Sequence, residues 1–264
     1  MASSANWLTR LASVVGPTGP TRQLGGGVWM VSAGGRTLVA KLGASAFDEA
    51  DGLERLIAVP GAPPVPEVVL TEAELLVTTW VEQGSRTPGH EESLGRALAA
   101  LHSAPIPHWG GGSSWIGVCR VNPSLFPDAA SFYGARLREL STRCGLEHPV
   151  TAVAARLAEL LPPGGPALLH GDLWWGNVLF GADGRTWLID PSVHGGHPEE
   201  DLAMLALFGS VPDRLLRAYA EVQPLSPGWE ERVALFQLYP LLVHAVLFGG
   251  GYRSRAEAVA RRFA

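Results

Sequence analysis

The chain has 264 residues, of which 47% are hydrophobic, and this is enough to bury a sizeable core in one large domain or in two lobes. The formal net charge of −5 gives no electrostatic basis for wrapping nucleic acid, so we expect no nucleic-acid partner. The two cysteines, Cys119 and Cys144, indicate neither a disulfide framework nor a zinc ligand set, which favours a reducing cytoplasm.

Neither end of the chain predicts a membrane segment. Arg10 interrupts the apolar residues of segment 1–17, which therefore reads as an amphipathic helix and not as a signal peptide. Segment 235–250 is the most apolar, but it contains Pro240 and His244, and its length predicts that it is too short to span a bilayer. We interpret it as a buried helix and expect no membrane partner.

The first third of the chain predicts a small antiparallel sheet with one helix. Two strand-like runs within residues 23–43 meet at a Gly-Gly turn, and a second strand pair lies within residues 67–81. Between them a helix begins after Ser45, with Asp48 placed to complete a capping box. The apolar face predicted for this helix comprises Phe47, Ala50, Leu53 and Ile57.

The pattern then changes to helices. Segment 83–90 is polar and rich in helix breakers, so we predict an N-terminal lobe over residues 1–82, a linker over 83–90 and a C-terminal lobe over 91–264. Helical periodicity predicts helices over 91–102, 129–144 and 149–161, with a long loop over 103–128 and further helices after residue 198. The fold class is α+β, with a small antiparallel β-rich lobe and a larger, mainly helical lobe.

A hairpin in the second half of the chain brings two oxygen-bearing side chains together. Asp183-Gly184 is a strong signal for a two-residue turn, and counting outward from it places Asn177 opposite Asp190. Directly opposed residues have Cβ atoms about 4.5–5.5 Å apart. An amide oxygen beside a carboxylate suits Mg²⁺, which takes a few protein oxygens together with phosphate oxygens.

Asp172 precedes Asn177 by five residues, the spacing of the aspartate and asparagine in a kinase catalytic loop. In such a loop the aspartate acts on the proton of the attacking hydroxyl and the asparagine holds a metal ion. Phosphoryl transfer needs these residue types because negative charge spreads over the phosphoryl oxygens in the transition state, so catalysis consists mainly of placing cations and aligning reactants.

Other residues around this loop have simpler interpretations. His170 is assigned a structural hydrogen bond, and Trp174 and Trp175 are assigned to packing. His194 and His197 have the spacing of a metal pair, but no third ligand accompanies them, so we assign them to a loop.

Lys41 is the only lysine, whereas the chain has nineteen arginines. A kinase-type site needs a lysine in the small lobe that contacts the phosphates and pairs with a helix glutamate, and Glu49 lies in the first turns of the next helix. The triplet Gly25, Gly26 and Gly27 would let backbone N–H groups approach phosphates.

These features together resemble the fructosamine kinase family, which lies within the aminoglycoside-phosphotransferase group of protein-kinase-like folds. The resemblance rests on HGDLWWGN (170–177), DPSVHGGHPEEDLAM (190–204), LFG (207–209) and LLVHAVLFGGGY (241–252), and it extends from the glycine hairpin to Tyr252. It implies a protein-kinase-like fold and an enzyme that uses ATP and Mg²⁺ to phosphorylate a sugar hydroxyl of a ketosamine, a sugar joined to an amine, either free or attached to protein.

The resemblance also implies a role for each matching residue. Asp172 corresponds to the catalytic base, and Asp201 corresponds to an aspartate that supports the catalytic loop. The adenine-binding hinge falls at Thr79, Trp80 and Val81. The implied metal ligands are Asn177 and Asp190, and the implied phosphate-binding residues are Lys41, Glu49 and Gly25, Gly26 and Gly27.

The chain departs from the family pattern at several positions. The family usually has two tyrosines where this chain has His194 and Gly195, and an arginine where it has Pro198. An acidic hinge residue is often found at the position of Thr79, and a cysteine near the glycines at the position of Val28. The departures leave the kinase residues intact and affect the expected sugar side of the site.

Three alternative functions are left open by the residues. One is a kinase for another hydroxylated amine, such as an aminoglycoside or a choline-like compound, since the same fold serves several substrates. Another is a nucleotide-binding protein without catalysis. The third is a metal hydrolase using His194 and His197, although no helix carries a ligand pair for it.

Overall fold

The computed structural model describes residues 4–264. The helices are α1 (Ser4–Val15), α2 (Ala46–Ile57), α3 (Pro88–His102), α4 (Ala129–Cys144), α5 (Glu147–Leu160), α6 (Glu199–Leu205), α7 (Asp213–Ala220), α8 (Trp229–Phe248) and α9 (Gly250–Phe263). The strands are β1 (Thr18–Gly25), β2 (Val28–Ala33), β3 (Arg36–Leu42), β4 (Val68–Glu72), β5 (Leu75–Thr79), β6 (Trp109–Gly110), β7 (Trp115–Ile116), β8 (Cys119–Arg120), β9 (Leu125–Phe126), β10 (Ala167–Leu169), β11 (Val178–Phe180), β12 (Thr186–Leu188) and β13 (His194–Gly196).

The N-terminal sheet is antiparallel, with strand order β1-β2-β3-β5-β4. The predicted turn at Gly34-Gly35 joins β2 to β3, and the predicted strand pair within residues 67–81 is β4 and β5. Strand β1 was not predicted over its full length because it contains Pro20 and is exposed along most of its residues. The glycine triplet 25–27 therefore lies in the turn between β1 and β2.

Helices cover both faces of this sheet. On one face, Trp7 and Leu11 of α1 pack against alternate sheet residues such as Leu38 and Val77. On the other face, Leu76 packs with the buried residues of α2. Alternate residues of a strand point to opposite faces, so the continuous apolar run of β5 serves both layers.

Two details predicted for α2 are wrong. Ser45 makes no side-chain capping bond, and the Asp48 carboxylate instead accepts a hydrogen bond from the backbone N–H of Ser114, 2.6 Å away. Phe47 and Ile57 are 58% and 61% exposed, so they do not belong to the buried face. The buried residues of α2 are Ala46, Ala50, Gly52, Leu53 and Leu56. Tertiary contacts therefore bury a neighbouring face of the helix and not the predicted one.

Helix α3 begins at Pro88, three residues before the predicted start at Glu91. Thr87 is its N-cap, and the Thr87 and His90 side chains each bond the other residue's backbone N–H in a capping box. A proline in the first helical position is pre-organised for a helix. Segment 83–90, which was interpreted as a linker because of its helix breakers, therefore also contains the start of α3. That residues 83–90 separate two lobes remains a prediction.

The helical part packs around α8, which contacts α4, α6 and α9. The predicted bounds of α4 are confirmed, and α5 begins two residues before its predicted start. Segment 235–250 was predicted as too short to span a bilayer, but the helix begins at Trp229 and has 20 residues. Within residues 4–264, α8 alone is long and apolar enough to cross a membrane, and half of that stretch is buried inside the protein, as in an ordinary core helix.

The segment predicted as a long loop, residues 103–128, contains the short strands β6 to β9. Strand β6 joins β9, β13 and β10 in a four-stranded sheet beside the catalytic loop. Strands this short carry too few residues to show a period in the sequence.

Candidate active site

The predicted catalytic loop, residues 170–177, begins where β10 ends, and the buried carboxylate of Asp201 fixes its start. Asp201 accepts hydrogen bonds from the backbone N–H groups of His170 and Gly171, at 2.8 Å and 2.9 Å. A side chain at Gly171 would lie 2.1 Å from the carbonyl oxygen of Ser192, so only glycine fits this turn, whose φ is 79°. The arrangement presents the next residue, Asp172, to the cavity described below.

Asp172 lies in a poorly solvated position. Burial raises the pKa of its carboxyl group to about 7, against the lowering effect of a hydrogen bond from Asn177. The Asn177 amide nitrogen donates to the Asp172 backbone carbonyl at 2.8 Å and to its carboxylate at 3.3 Å. These two bonds use the amide nitrogen of Asn177 and not its amide oxygen.

The hairpin after the loop has a register one residue different from the prediction. Val178 pairs with Leu188 and not with Ile189. The connection consists of residues 182–184, closed by a hydrogen bond from the Gly181 N–H to the Arg185 carbonyl. A three-residue connection ending in a left-handed glycine, here Gly184 with φ of 80°, is the next most common alternative to the two-residue turn.

This register corrects the predicted pairing of the two metal-ligand candidates. Asn177 lies opposite Ile189, whose N–H donates to the Asn177 carbonyl oxygen at 3.1 Å, and Asp190 lies one residue further on. Asp190 has a φ of 56°, the only positive φ of a non-glycine residue within residues 4–264. Such a conformation turns the chain out of the strand direction, and the Asp190 side chain is directed towards Lys41.

Lys41 joins the two halves of the site. It lies on β3 opposite Val28, and its Nζ is 2.5 Å from Oε1 of Glu49 on α2. The same Nζ contacts Oδ1 of Asp190. The ammonium group and the two carboxylates together carry a net charge of −1, which favours the approach of a divalent cation.

A cavity of about 300 Å³ opens on the sheet side of Lys41. Its lining residues come from the N-terminal sheet, from α2 and from the hairpin after the predicted catalytic loop, and the predicted hinge residues Thr79, Trp80 and Val81 are among them. The Thr79 hydroxyl accepts a hydrogen bond from the Glu67 N–H, so this side chain holds the β4–β5 edge. A cavity of this size, mostly apolar with a few polar groups at one end, is typical of a small-ligand site.

The glycine triplet lies above this cavity and does not line it. The residues on either side of it, Leu24 and Val28, are the ones that line the cavity. Side chains added at Gly25 or Gly26 would meet nothing, whereas one at Gly27 would lie 2.8 Å from the Leu42 carbonyl oxygen.

A second cavity, of about 380 Å³, opens on the other side of Lys41. It is lined by Asp172, Asn177 and Asp190 and by the loop that begins at Ser113. Both cavities share the wall formed by Lys41, Glu49 and Asp190. The candidate base, Asp172, and the candidate phosphate-binding group, Lys41, both line this second cavity.

Several residues of this second cavity were missed or misassigned from the sequence. Trp174 was assigned to packing; its ring lies against Gly176 and makes a T-shaped contact with Phe208, but it is 40% exposed and lines the cavity. Trp175 packs against Phe180 as predicted. Trp115 lines the cavity from a loop whose position depends on contacts distant in sequence, so no local signal could have identified it.

His194 and His197 do not form a metal site. No group of three or more metal-binding side chains occurs in the part of the chain that the structure describes. His194 lies on strand β13 and not in a loop, where its Nε2 contacts Arg136 at 2.9 Å and Glu200 at 3.2 Å. Burial raises the pKa of Glu200, but His194 and Arg136 outweigh that effect and lower it to about 2. His194, the departure from the family pattern at this position, does not line the cavity that contains Asp172.

The comparisons with known proteins agree with this geometry. The fructosamine kinase family model matches residues 40–263. A protein of Enterococcus faecium described as a probable ketoamine kinase is 32% identical over 228 residues, which cover 81% of each chain. A protein-ribulosamine 3-kinase of rice (Oryza sativa subsp. indica) is 34% identical over 205 residues, covering 72% of this chain and 58% of the rice protein.

Solved structures extend the comparison to the fold. The crystal structure of a protein from Thermobifida fusca with the provisional designation fructosamine-3-kinase is 34% identical, has a TM-score of 0.87 and covers 96% of each chain. Choline kinase from Streptococcus pneumoniae has a TM-score of 0.69 over 100% of this chain at 15% identity, so it shares the protein-kinase-like fold alone. The fold class predicted from the sequence is confirmed. The chain is a phosphotransferase with an alcohol group as acceptor, and it belongs to the fructosamine kinase family.

Proposed function

We propose that this protein transfers the γ-phosphoryl group of ATP, in the presence of Mg²⁺, to a sugar hydroxyl of a ketosamine. The observation that carries the proposal is the shared wall of Lys41, Glu49 and Asp190 between a mostly apolar cavity and a cavity that contains Asp172. A nucleotide base in the first cavity directs its phosphates to Lys41, and an acceptor in the second places its hydroxyl beside Asp172.

On the nucleotide side, the proposed adenine hinge is formed by Thr79, Trp80 and Val81, beneath the glycine turn 25–27. The backbone of the turn supplies N–H groups for the phosphates. Lys41 is held by Glu49 so that its ammonium group lies in a fixed position, which removes the cost of ordering a long side chain when nucleotide binds.

On the metal side, Asn177 and Asp190 would hold Mg²⁺. The donor set fits, because one amide oxygen and one carboxylate leave the remaining positions for phosphate oxygens and water. When bound, the ion neutralises charge on the phosphates. Asp172 then accepts the hydroxyl proton of the acceptor, and its carboxyl pKa of about 7 suits a base that works near neutral pH.

The acceptor side has an aromatic surface next to Asp172. Trp174 contacts Phe208, and Phe208 contacts both His244 and Tyr252. Phe248 is 67% exposed and lies beside the last two of these. Aromatic faces attract cations such as a protonated amine, so this surface supports an acceptor that carries an amine beside its sugar.

The test begins with binding and ends with turnover. ATP is titrated with and without Mg²⁺, and phosphate transfer is then measured on a fructosyl amine, an aminoglycoside and choline at equal concentrations. We expect Mg²⁺-dependent ATP binding and the highest kcat/KM on the fructosyl amine. A higher kcat/KM on the aminoglycoside or on choline would show that the proposed acceptor is wrong. Nucleotide binding without turnover on any of the three acceptors would favour a non-catalytic nucleotide-binding protein.

Whether the acceptor is free or attached to a protein is a separate part of the proposal. The cavity beside Asp172 is bordered by the exposed side chains of Trp174 and Val118, so a ketosamine on a protein lysine has a path to Asp172. We propose that both forms are substrates and that the enzyme acts in the cytoplasm. Turnover of a free fructosyl amine without any turnover of a glycated protein would remove the second form.

A further inference from the structure

A polar cleft of about 510 Å³ lies apart from the two cavities around Lys41 and shares no lining residue with either of them. It is bounded by the end of α3, the loop 163–167, the start of α6 and the segment 223–226 that follows α7. Its volume lies within the range of small-molecule sites. The phosphoryl-transfer reaction proposed above does not use it.

One buried side chain in this cleft has a free hydrogen-bonding atom. His197 is 7% exposed, its ring stacks on Phe236, and its Nδ1 accepts a hydrogen bond from the Glu199 N–H. No hydrogen bond to its Nε2 is found among residues 4–264, and Nε2 is directed towards Gly164 in the cleft wall. With Nδ1 accepting, the neutral ring carries its proton on Nε2, so the cleft contains one unpaired N–H donor.

The charges around the cleft are already balanced. Glu199 forms two hydrogen bonds with Arg232, at 2.8 Å and 2.6 Å. Burial, with smaller effects of Arg232 and His102, lowers the pKa of His197 to about 4, so this histidine is neutral at pH 7. An ion in the cleft would have no free opposite charge to meet, which favours a neutral ligand.

The remaining lining groups suit a compact molecule with several hydroxyl groups. Ser103, Gln223 and Ser226 provide polar side chains at the wall. Proline rings and one leucine provide flat apolar surface between them: Pro105, Pro163, Pro166, Pro198, Pro224 and Leu225. A sugar ring has hydroxyl groups at its edge and C–H groups on its faces. The hydroxyl groups can bond to the polar side chains of the cleft, and the C–H faces can pack on the apolar ones.

The cleft is connected to the catalytic loop by hydrogen bonds. Tyr219 and His102 both line it, and the Tyr219 hydroxyl is 2.9 Å from Nδ1 of His102. Nε2 of His102 is 3.1 Å from Asp201, the carboxylate that also accepts the N–H groups of His170 and Gly171. A ligand that restricts His102 and Tyr219 therefore acts on the group that fixes the loop before Asp172.

We propose that this cleft binds a neutral polyhydroxylated ligand of monosaccharide size, and that its occupation is transmitted to the catalytic loop through His102 and Asp201. The proposal is independent of which acceptor is phosphorylated. It requires both binding in the cleft and a response in the loop.

Binding is tested with D-glucose and D-fructose by saturation-transfer NMR on the full chain. For a neutral ligand of this size we expect a Kd on the order of 1–10 mM. Ser226→Trp fills the cleft and should abolish the signal of the cleft-bound sugar. Val222→Trp is the matched control, because Val222 directly precedes segment 223–226, is exposed and does not line the cleft. Gln223→Leu is a milder variant that should weaken binding severalfold, and thermal melting checks that each variant is folded.

The response is tested by hydrogen exchange of the segment 168–173 with and without the sugar. We expect the His170 and Gly171 amides to exchange more slowly, about threefold or more, in the unmodified chain and in the Val222→Trp variant, but not in the Ser226→Trp variant. Absence of binding, binding that persists in the folded Ser226→Trp variant, or binding without a change in exchange would each overturn the proposal.

Discussion

Lys41 is the one cationic position in this chain that arginine does not occupy, although arginine has the same charge. Its ammonium group lies between Glu49 and Asp190, a space that suits a compact point charge and not a wide, planar guanidinium group. We predict that Lys41→Arg lowers kcat by about 10²–10³ while the protein remains folded. Steady-state kinetics at saturating acceptor, together with thermal melting, measure both quantities.

The control for this exchange is Arg36→Lys, an exposed position on the same strand as Lys41, which should change nothing. Lys41→Met gives the cost of losing the charge altogether. Near-native turnover and ATP affinity in Lys41→Arg would exclude the need for a compact ammonium group at this position. If Lys41→Met were also neutral, residue 41 would have no part in phosphate binding.

Asp172 lends itself to a substitution that preserves shape. Asp172→Asn keeps the size of the side chain but cannot accept the hydroxyl proton, so we predict a loss of kcat of about 10²–10⁴ with nearly unchanged ATP affinity. Asp183→Asn, in the exposed turn of the adjoining hairpin, is the control and should retain activity. Full kcat in the folded Asp172→Asn variant would exclude this residue as the base.

At the scale of elements, α2 is connected to the loop that forms the acceptor-side wall. Asp48 lies beside Glu49 in the first turn of α2, and its carboxylate accepts the Ser114 N–H at 2.6 Å. The neighbouring Ser113 and Trp115 line the cavity that contains Asp172. We predict that Asp48→Ala lowers kcat/KM for the acceptor by about 5–100-fold, the cost of leaving one such donor unpaired, and changes the KM for ATP much less.

Two variants isolate this contact from the general stability of the helix. Asp48→Asn retains an acceptor oxygen and should recover most of the loss. Asp51→Ala removes an exposed carboxylate on the same helix, which lies 3.7 Å from the Arg55 guanidinium group, and should be close to neutral. Equal losses from Asp48→Ala and Asp51→Ala would mean that the effect comes from the helix and not from the loop.

At the scale of the whole molecule, α3 and α7 approach so closely that a methyl group does not fit between them. A side chain at Gly95 would lie 2.3 Å from the Leu215 carbonyl oxygen and 3.0 Å from the Tyr219 nitrogen, and backbone cannot give way easily. We predict that Gly95→Ala lowers the free energy of unfolding by about 1–3 kcal/mol or more in urea denaturation. Gly89→Ala on the same helix meets only the Thr87 hydroxyl oxygen at 3.7 Å and should be neutral or slightly stabilising.

A destabilising Gly89→Ala change, equal to that of Gly95→Ala, would contradict the packing explanation. The same helix pair places His102 and Tyr219 beside Asp201, so loosening it should also lower kcat.

The pH dependence of stability is also a property of the whole fold. Burial lowers the pKa of His197 from its usual value of 6.5 to about 4. Below pH 6.5 the unfolded chain binds a proton that the folded protein takes up only near pH 4, so stability present above pH 6.5 is lost as the pH falls through this window. We predict that His197 contributes a loss on the order of 1–3 kcal/mol between pH 6.5 and 4. Asp172, whose pKa is raised to about 7, acts in the opposite direction, so the contribution of His197 is measured as the difference in urea denaturation between the unmodified chain and the His197→Gln variant.

His197→Gln should flatten this dependence, because glutamine keeps a polar group but does not titrate. His148→Gln, at an exposed position, is the control and should leave it unchanged. An unaltered slope in the His197→Gln variant would mean that other groups cause the loss.

The sequence by itself determined the features that depend on neighbouring residues. The bounds of α4 and the turn at Gly34-Gly35 follow from periodicity and from turn chemistry within a few residues. The family was identifiable from HGDLWWGN and the run after Asp190, because catalytic loops keep residue types and spacings that the chemistry requires. The proposed partnership of Lys41 with Glu49 agrees with the observed contact, although both roles remain predictions.

Only the tertiary structure decided the contacts between distant segments. The predicted hairpin register was wrong by one residue, because two-residue and three-residue turns share the same Asp-Gly signal. Packing of the side chains on the two strands decides between the two registers. Asp48 was assigned to a cap, but its carboxylate instead accepts a hydrogen bond from the backbone N–H of Ser114, 66 residues away. Trp174 was assigned to packing, yet it is 40% exposed, and an exposed tryptophan cannot be told from a buried one in the sequence. Local free energies fix which elements form, whereas burial and long-range hydrogen bonds fix which side chains meet, and those terms exist only when the chain is folded.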